Sequence, residues 1–275
     1  MPVAPVKPTL EAQDYHDRFA AVYDTLYRER DVQAEARFAA ELLDLTGDGV
    51  KPARVLDFGC GTGSHSLAFG ELGLMATGFD VSPAMVAQAR AKAESARDTV
   101  VCFECGEFAD LCGQMNGHRF HAAVSFFNVF NCMDSPMAML DNLRLIRSAL
   151  RPGGLLLMEV WNGAAVFTDS PRPNVRHHAV DGSPDREMVR IMEPEVDRVA
   201  QRCTLRYRVL TLDRGEGRFM EFESIHRLHF LTPVQYRHLF ELAKFELVDE
   251  FPKGKAGVPV SDRDWYISYL VRHPR

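Results

Sequence analysis

Nine consecutive residues, Val55-Leu56-Asp57-Phe58-Gly59-Cys60-Gly61-Thr62-Gly63, determine how the rest of the chain is interpreted. The apolar residues at the start predict a buried β-strand, and the three glycines predict a tight turn that leaves bare main chain open to a ligand. A helix is expected to begin at about Ser64. Asp57 places a carboxylate near the C-terminal end of the strand, the edge of an open α/β sheet where ligands bind. A carboxylate at that edge repels a phosphate and attracts a cation.

The chain that follows alternates between strand-like and helix-like segments. Strands are predicted at 55–58, 74–79, 99–103, 122–127 and 155–160, and helices at 64–72, 83–97 and 136–150. Ser82 before Pro83 is a favourable helix N-cap, and Arg151-Pro152-Gly153-Gly154 predicts a break before the last of these strands. Apolar strands separated by helices predict a doubly wound parallel sheet that is covered on both faces.

The flanking segments follow other patterns. Residues 11–46 carry apolar and tyrosine residues at helical spacing, which predicts two helices that end near Gly47 and Gly49. Residues 162–231 show no helical period. Within them, residues 162–184 are predicted to form a loop. Apolar and polar residues alternate on either side of the polar turn 213–217, which predicts a β-hairpin with one apolar face. A helix from Thr232 to about residue 243 and strands at 245–251 and 265–271 complete the pattern.

The composition is that of a globular protein, since 46% of the 275 residues are hydrophobic and 25% are charged. The net charge of -6 argues against nucleic acid as a partner, and no apolar run reaches the length of about 18 residues that a membrane span needs. Six cysteines without an export signal favour reduced thiols in a cytoplasmic protein. Cys102 and Cys105 form a C-x-x-C pair, but no second pair follows at zinc spacing, so no metal site is predicted.

Two ligands fit a glycine-rich turn after a first strand, a dinucleotide and S-adenosylmethionine. The dinucleotide fingerprint G-x-G-x-x-G/A is matched by Gly59 and Gly61, but Ser64 stands at its last position. Asp80, after the second strand, can accept hydrogen bonds from the two hydroxyls of a ribose, which both ligands carry. Asp57 favours S-adenosylmethionine, because that ligand has an ammonium and a sulfonium group. An NAD(P)-dependent oxidoreductase on a related fold remains the alternative.

Three motifs resemble those of the class I S-adenosylmethionine-dependent methyltransferases. Residues 55–63 resemble motif I, Gly78-Phe79-Asp80-Val81-Ser82 resembles the ribose-binding acidic turn, and Arg151-Pro152-Gly153-Gly154-Leu155-Leu156 resembles the turn before strand five. The motifs occur in the family's order and at its usual separations. The resemblance implies methyl transfer with S-adenosylmethionine as cofactor, on a seven-stranded Rossmann-like sheet whose last strand is antiparallel.

With this resemblance, the patterns divide the chain into three parts. We expect an N-terminal helical cap at 1–50, an S-adenosylmethionine-binding Rossmann-like domain made of 51–161 and 232–275, and an antiparallel β insertion at 162–231 that acts as a substrate lid. The oligomeric state is open, and a homodimer is one option.

The resemblance also implies which residues contact the cofactor. Asp57 is expected near the ammonium group of the methionine part, Asp80 on the ribose and Glu107 on the adenine amino group. The complete set of expected cofactor-binding residues is Tyr23, Asp57, Gly59, Cys60, Gly61, Gly63, Asp80, Val81, Met85, Glu107, Phe108 and Phe126.

The segment Tyr23-Asp24-x-x-Tyr27, followed by Arg30-Asp31, and the insertion after strand five are similar to a narrower group. This group contains small-molecule methyltransferases related to the amino-sugar N-methyltransferases. Its members often carry a histidine in the loop after strand four, where this chain has Asn128-Val129-Phe130-Asn131-Cys132. The resemblance implies a small-molecule acceptor such as a sugar or sugar nucleotide, methylated on nitrogen or oxygen.

The accepting atom decides which catalytic residues are needed. An amine must only be unprotonated, whereas a hydroxyl needs a general base within hydrogen-bond reach. The candidate catalytic residues are His226, Asn131 and Tyr27. His226 lies on the apolar face of the predicted hairpin, where it is either a packed core histidine or a group that faces the substrate. A third hypothesis is a non-catalytic protein that binds S-adenosylmethionine.

Overall fold

The computed structural model describes residues 17–45, 52–96, 100–114, 119–180 and 185–275. The helix stop predicted at Gly47 and Gly49 lies outside these residues, as do the first residues of the predicted N-terminal helix, 11–16, and Thr99 at the start of a predicted strand. No helix in the described part of the chain combines the length and the apolar character that a membrane crossing requires.

The described strands belong to two sheets. In chain order they are β1 (Arg54–Phe58), β2 (Met75–Asp80), β3 (Val101–Cys105), β4 (Phe120–Ser125), β5 (Leu150–Trp161), β6 (Asn174–Ala179), β7 (Arg186–Asp197), β8 (Arg202–Asp213), β9 (Arg218–His229), β10 (Glu246–Pro252) and β11 (Tyr266–Arg272). The larger sheet has seven strands in the order β10-β11-β5-β4-β1-β2-β3. Strands β1 to β5 are parallel to one another, and β11 is antiparallel to both of its neighbours, β5 and β10. The predicted doubly wound seven-stranded sheet is thereby confirmed.

The helices cover both faces of the larger sheet. They are α1 (Asp17–Leu26), α2 (Val32–Leu42), α3 (Ser64–Glu71), α4 (Pro83–Ser95), α5 (Phe108–Gln114), α6 (Pro136–Ala149), α7 (Gly163–Thr168) and α8 (Pro233–Leu242), with a 3₁₀ helix at Val129–Cys132. In β1, Leu56 packs into a core cluster with residues of α6 and α8, whereas its neighbour Val55 packs with residues of α2 and α3. Successive side chains of a strand point to opposite faces, so both faces of β1 are buried as predicted.

The second sheet is the antiparallel insertion, and it is larger than the predicted hairpin. Strands β8 and β9 pair from Arg202 to His229 around the turn that the sequence indicates. Two further strands, β6 and β7, complete the order β6-β7-β8-β9. The prediction of 162–184 as loop is wrong at β6 and at α7. Asn162 caps α7, because its side-chain oxygen accepts from Ala164 N. Both are six-residue elements in a Pro- and Gly-rich stretch, too short to show a period of their own.

The predicted break at residues 151–154 is also wrong, because β5 begins at Leu150. Its pairing with β4 shifts from Phe120–Leu150 to Ala122–Leu155, so the four intervening residues form an irregularity within the strand. Gly153 has a φ of +80°, and its N–H donates to His273 O at 2.8 Å. The Pro-Gly-Gly sequence therefore allows a bulge rather than ending the strand. The division of the chain into three parts stays a prediction.

Candidate active site

A cleft lies at the C-terminal edge of β1, β2 and β4. It has a larger cavity of about 700 Å³ and a smaller one of about 160 Å³. Four residues, Tyr23, Gly59, Phe126 and Phe127, line both cavities, so the two are adjacent parts of one cleft. This edge is where open α/β sheets bind ligands.

The glycine-rich turn forms the floor of the cleft. Gly59 N and Cys60 N both donate to Phe79 O, at 2.8 and 2.9 Å, which ties the turn to β2. Gly61 has a φ of +54°, and a Cβ built on it would have its nearest contact at 4.0 Å, on the ring of Tyr23. The backbone at Gly61 is therefore open to a ligand.

Gly63 has a packing role that the sequence did not predict. It lines neither of the two cavities. A Cβ at this position would stand 2.6 Å from Phe103 Cζ and 2.8 Å from Ala89 Cβ. Gly63 thus allows the start of α3 to pack closely against β3 and α4. Its expected contact with the cofactor stays a prediction.

Asp80 ends β2 and links the turn to the next helix. Its Oδ2 accepts from Gly61 N at 2.8 Å and its Oδ1 accepts from Ser82 N at 2.9 Å. A carboxylate oxygen has two lone pairs, so each oxygen retains capacity for another donor. Asp80 lines the larger cavity, and burial raises the pKa of its carboxyl.

Asp57 lies at the other end of the cleft, on the smaller cavity. Its side chain is nearly inaccessible, with the residue 2% exposed, and Oδ2 accepts from Ser66 Oγ at 2.6 Å. Burial raises the pKa of Asp57. A buried carboxylate with spare acceptor capacity is suited to a cationic group such as an ammonium.

Most of the remaining predicted cofactor residues surround the larger cavity. Val81, Met85, Glu107 and Phe108 all line it. Met85 and Phe108 are buried, whereas Val81 is 65% exposed at the mouth. Cys60 lines the smaller cavity, and burial raises the pKa of its thiol well above the ordinary value.

Aromatic side chains occupy the junction between the cavities. The ring centroids of Tyr23 and Tyr27 are 4.7 Å apart, and those of Tyr27 and Phe127 are 4.6 Å apart. Burial raises the pKa of both tyrosine hydroxyls, so both stay protonated at neutral pH. Asp24, between the tyrosines, accepts from Thr62 Oγ1 at 2.6 Å and from Lys92 Nζ at 2.9 Å, which holds α1 to the glycine turn and to α4.

An ionic network beside the smaller cavity was not foreseen from the sequence. Glu35 accepts from His65 Nε2 at 2.7 Å and is paired with Arg30 and with Lys253. Burial alone would raise the pKa of Glu35, but the His65 hydrogen bond and the two cations outweigh it and hold the pKa far below its ordinary range. Arg30 lines the cavity and lies 4.4 Å from the Phe127 ring centroid. The only sequence signal was Arg30 itself, after the tyrosine motif.

Asn131 does not reach the cleft. Its Nδ2 donates to His229 O at 2.6 Å and to Tyr236 Oη at 3.1 Å, and its Oδ1 accepts from Trp161 N at 3.0 Å. The residue is fully buried and lines neither cavity. Its contacts join the 3₁₀ helix, β5 and α8, a structural role, and the expectation that Asn131 is catalytic stays a prediction.

His226 also packs away from the cleft. Its ring centroid is 4.8 Å from that of Phe19 and 4.9 Å from that of Tyr207, and Nε2 lies 3.0 Å from Ser224 Oγ. The residue is 5% exposed and lines neither cavity. Of the two readings of His226, this geometry favours the packed core histidine. Tyr27 is the one catalytic candidate of the three that lines a cavity of the cleft.

Comparisons with known proteins agree with this geometry. Residues 55–154 match the family model described as a methyltransferase domain. A provisionally named methyltransferase of Geobacillus sp. (strain WCH70) is 32% identical over 146 residues, which are 53% of this chain and 57% of that relative, so the chain spans little more than half of its length.

Two further matches cover more of the chain. The dTDP-3-amino-3,4,6-trideoxy-alpha-D-glucopyranose N,N-dimethyltransferase of Streptomyces venezuelae is 26% identical, over 89% of this chain and 99% of the relative. The crystal structure of an S-adenosylmethionine-dependent methyltransferase from Clostridium acetobutylicum superposes with a TM-score of 0.76 at 16% identity, over 94% of this chain and 98% of that one. Residues 55–154 are therefore a methyltransferase domain, and the chain around them has the fold of the class I S-adenosylmethionine-dependent methyltransferases.

Proposed function

We propose that the chain transfers a methyl group from S-adenosylmethionine to an amine on a small molecule. The observation that carries the proposal is the cleft itself. It has a carboxylate at each end, Asp57 and Asp80, an open glycine turn between them and neutral aromatic side chains at the junction. Dimethyltransferases of amino sugars among the relatives support the same class of acceptor.

The residues of the cleft fit this cofactor. The remaining lone pairs of Asp80 would accept from the ribose hydroxyls, and Met85, Glu107 and Phe108 would surround the adenine. On the smaller cavity, Asp57 would attract the ammonium of the methionine part. Arg30, which lines the same cavity, would attract its carboxylate.

The aromatic junction favours an amine acceptor over a hydroxyl. S-adenosylmethionine would supply a methyl group on a sulfonium. The amine lone pair would form the new N–C bond in line as the S–C bond breaks, so that S-adenosylhomocysteine would leave as a neutral thioether and the methylated ammonium would release its proton to solvent. A hydroxyl would need a general base, but Tyr23 and Tyr27 have raised pKa values and His226 lies outside both cavities. An amine needs only orientation, which Tyr23, Tyr27 and Phe127 would supply by packing around it.

Binding measurements test the proposal directly. We expect saturable binding of S-adenosylmethionine by isothermal titration calorimetry, and a loss of at least tenfold in Asp80→Asn, since about 1.5–3 kcal/mol is typical of a hydrogen bond to a charged group. Asp141→Asn, which changes an exposed carboxylate on α6 that pairs with Arg144, is the matched control. Binding of NADH but not of S-adenosylmethionine would instead favour the oxidoreductase.

Cellular location, acceptor and oligomeric state complete the proposal. The cytoplasm is proposed as the location of the enzyme, since the cysteine usage of the sequence favours reduced thiols. A small-molecule acceptor is proposed as the partner, and a homodimer stays a prediction. Analytical ultracentrifugation at micromolar concentration measures the assembly, and fractionation of the source cells measures the location.

A further inference from the structure

The carboxylate of Glu35 on α2 joins three distant parts of the chain. Its Oε2 accepts from His65 Nε2 at 2.7 Å and from Arg30 Nη2, and its Oε1 lies 3.0 Å from Lys253 Nζ. Arg30 and His65 both line the smaller cavity of the cleft. Glu35 and Lys253 line neither of the two cavities. Glu35 therefore lies behind two groups that a ligand in the smaller cavity would touch.

Lys253, which follows β10, anchors Glu35 to the larger sheet. Its Nζ also donates to Glu159 Oε2 at 2.9 Å, and Glu159 is a buried carboxylate on β5. Phe127, which lines both cavities, has its N atom 3.5 Å from the same oxygen. Without the ammonium of Lys253 the two carboxylates would lose the cation that they share, and the position of Glu35 would no longer be fixed from both sides.

Arg30 is held in the wall of the smaller cavity from two sides. Its Nη2 donates to Glu35, and its Cζ lies 4.4 Å from the Phe127 ring centroid. A guanidinium has five N–H donors, so this arrangement leaves donors for a ligand. An arginine side chain that moves freely in water loses rotamer entropy when it binds a ligand, whereas one that a carboxylate already holds loses less. The pair with Glu35 therefore prepares Arg30 for an anionic group.

His65 is oriented by the same carboxylate. Because a carboxylate can only accept, the bond to Glu35 places a proton on Nε2 and leaves Nδ1 as the other polar atom of the ring. The ring packs against that of Phe126, with the centroids 4.6 Å apart. The charge of His65 also acts on Asp57, whose pKa burial raises and His65 lowers. Through His65, Glu35 thus acts on the part of the cavity where the ammonium of the cofactor is expected.

We propose that Glu35 is a positioning residue for the amino-acid end of the cofactor, and that Lys253 fixes Glu35 in this role. Through Arg30 and His65, this chain of contacts favours a ligand with a carboxylate and an ammonium over one with adenosine alone. The inference rests on the proposed function, which assigns the smaller cavity to the methionine part. It adds that a lysine outside the cleft contributes to the affinity for that part.

Two ligands separate the amino-acid end from the rest of the cofactor. S-adenosylhomocysteine carries this end, whereas methylthioadenosine has the adenosine and the thioether without it. Isothermal titration calorimetry on the full chain measures the affinity for each ligand. The wild type should bind S-adenosylhomocysteine at least about tenfold more tightly than methylthioadenosine, as hydrogen bonds to charged groups allow.

Variants of Lys253 test the positioning role without changing a residue of the cleft. Lys253→Met should weaken the binding of S-adenosylhomocysteine by about threefold to thirtyfold, which is the usual range of coupling within one ion-pair network. It should leave the affinity for methylthioadenosine unchanged. Lys253→Arg keeps the cation and should restore most of the lost affinity. Lys255→Met changes an exposed lysine in the same segment and should bind both ligands as the wild type does.

The outcomes separate the inference from the function on which it rests. Failure of the wild type to bind S-adenosylhomocysteine would refute the proposed methyl transfer itself. If the wild type binds it but Lys253→Met weakens both ligands equally, the network supports the fold and has no positioning role. Unchanged affinities in Lys253→Met, or equal affinities of the wild type for the two ligands, would also overturn the inference and leave the proposed function in place.

Discussion

Substitution of Gly63 by alanine separates the two reasons for which a glycine is needed in a turn. Gly63 has a φ of +80°, and a Cβ there would stand 2.6 Å from Phe103 Cζ. Gly73 has nearly the same φ, +78°, but a Cβ there would meet nothing within 4 Å. Gly73→Ala therefore introduces backbone strain alone, and Gly63→Ala introduces the same strain together with a steric clash.

The two variants should differ by the energy of the clash. Left-handed backbone costs a non-glycine residue about 1–2 kcal/mol. Overpacking of a filled interior adds about 1–3 kcal/mol. We therefore expect Gly73→Ala to lower the free energy of unfolding by about 1–2 kcal/mol and Gly63→Ala to lower it by about 2–5 kcal/mol.

Equilibrium unfolding in urea, followed by circular dichroism, gives both values under the same conditions. The slope of the transition should be the same for the two variants, so that the midpoints report stability alone. Equal losses of unfolding free energy in Gly63→Ala and Gly73→Ala would refute the argument. They would show that the Phe103 ring and α4 move away from the added methyl group without an energetic cost.

Three further predictions concern the residues around the cleft. Asn131→Ala should lower the free energy of unfolding in urea by about 2–4 kcal/mol, because it leaves the buried Trp161 N–H and His229 O unpaired, with cofactor affinity unchanged. Glu35→Gln should be less stable than wild type at pH 7. Because the folded state lowers the pKa of Glu35, this difference should be fully present above its ordinary value of 4.5 and should shrink as the pH falls below it, measured by urea unfolding at several pH values. The rate of methyl transfer should show no tyrosine titration near the ordinary value of 10.0, since the pKa values of Tyr23 and Tyr27 are raised above it.

Each of these has an outcome that contradicts it. A loss of cofactor affinity in Asn131→Ala with unchanged stability would return that residue to the site. A stability difference for Glu35→Gln that grows towards acid would mean that the carboxylate is not the stabilising form. A fall in rate through pH 10.0 that Tyr27→Phe abolishes would identify Tyr27 as an acid in the reaction.

The sheet was predictable because its signals are local and agree with one another. In β1 and the turn after it, the apolar residues, Asp57 and the glycines lie within nine residues, and Ser82 with Pro83 marks the start of α4. The bulge in β5 was not predictable, because the same glycines that allow it also occur in turns. Whether Gly153 ends the strand depends on pairing with His273, which is 120 residues away in sequence.

The same distinction applies to the site. The residues on the glycine turn and after β2 are recognisable because each follows its own strand. The pairing of Glu35 with His65 and Lys253 joins three distant segments, and no pattern within one segment reports it. For Asn131 and His226 the sequence could not separate the two roles, because polarity in an apolar segment indicates burial with a partner as readily as it indicates catalysis.

The position of β11 has a consequence for how the protein is made. This strand lies between β5 and β10, and it is the last of the described strands to be synthesised. Until Arg272 has left the ribosome, β5 has one edge without a partner over seven residues. An exposed edge of an apolar strand can pair with other chains. We therefore expect this edge of β5 to be open to pairing with other chains until β11 has been synthesised and placed beside it.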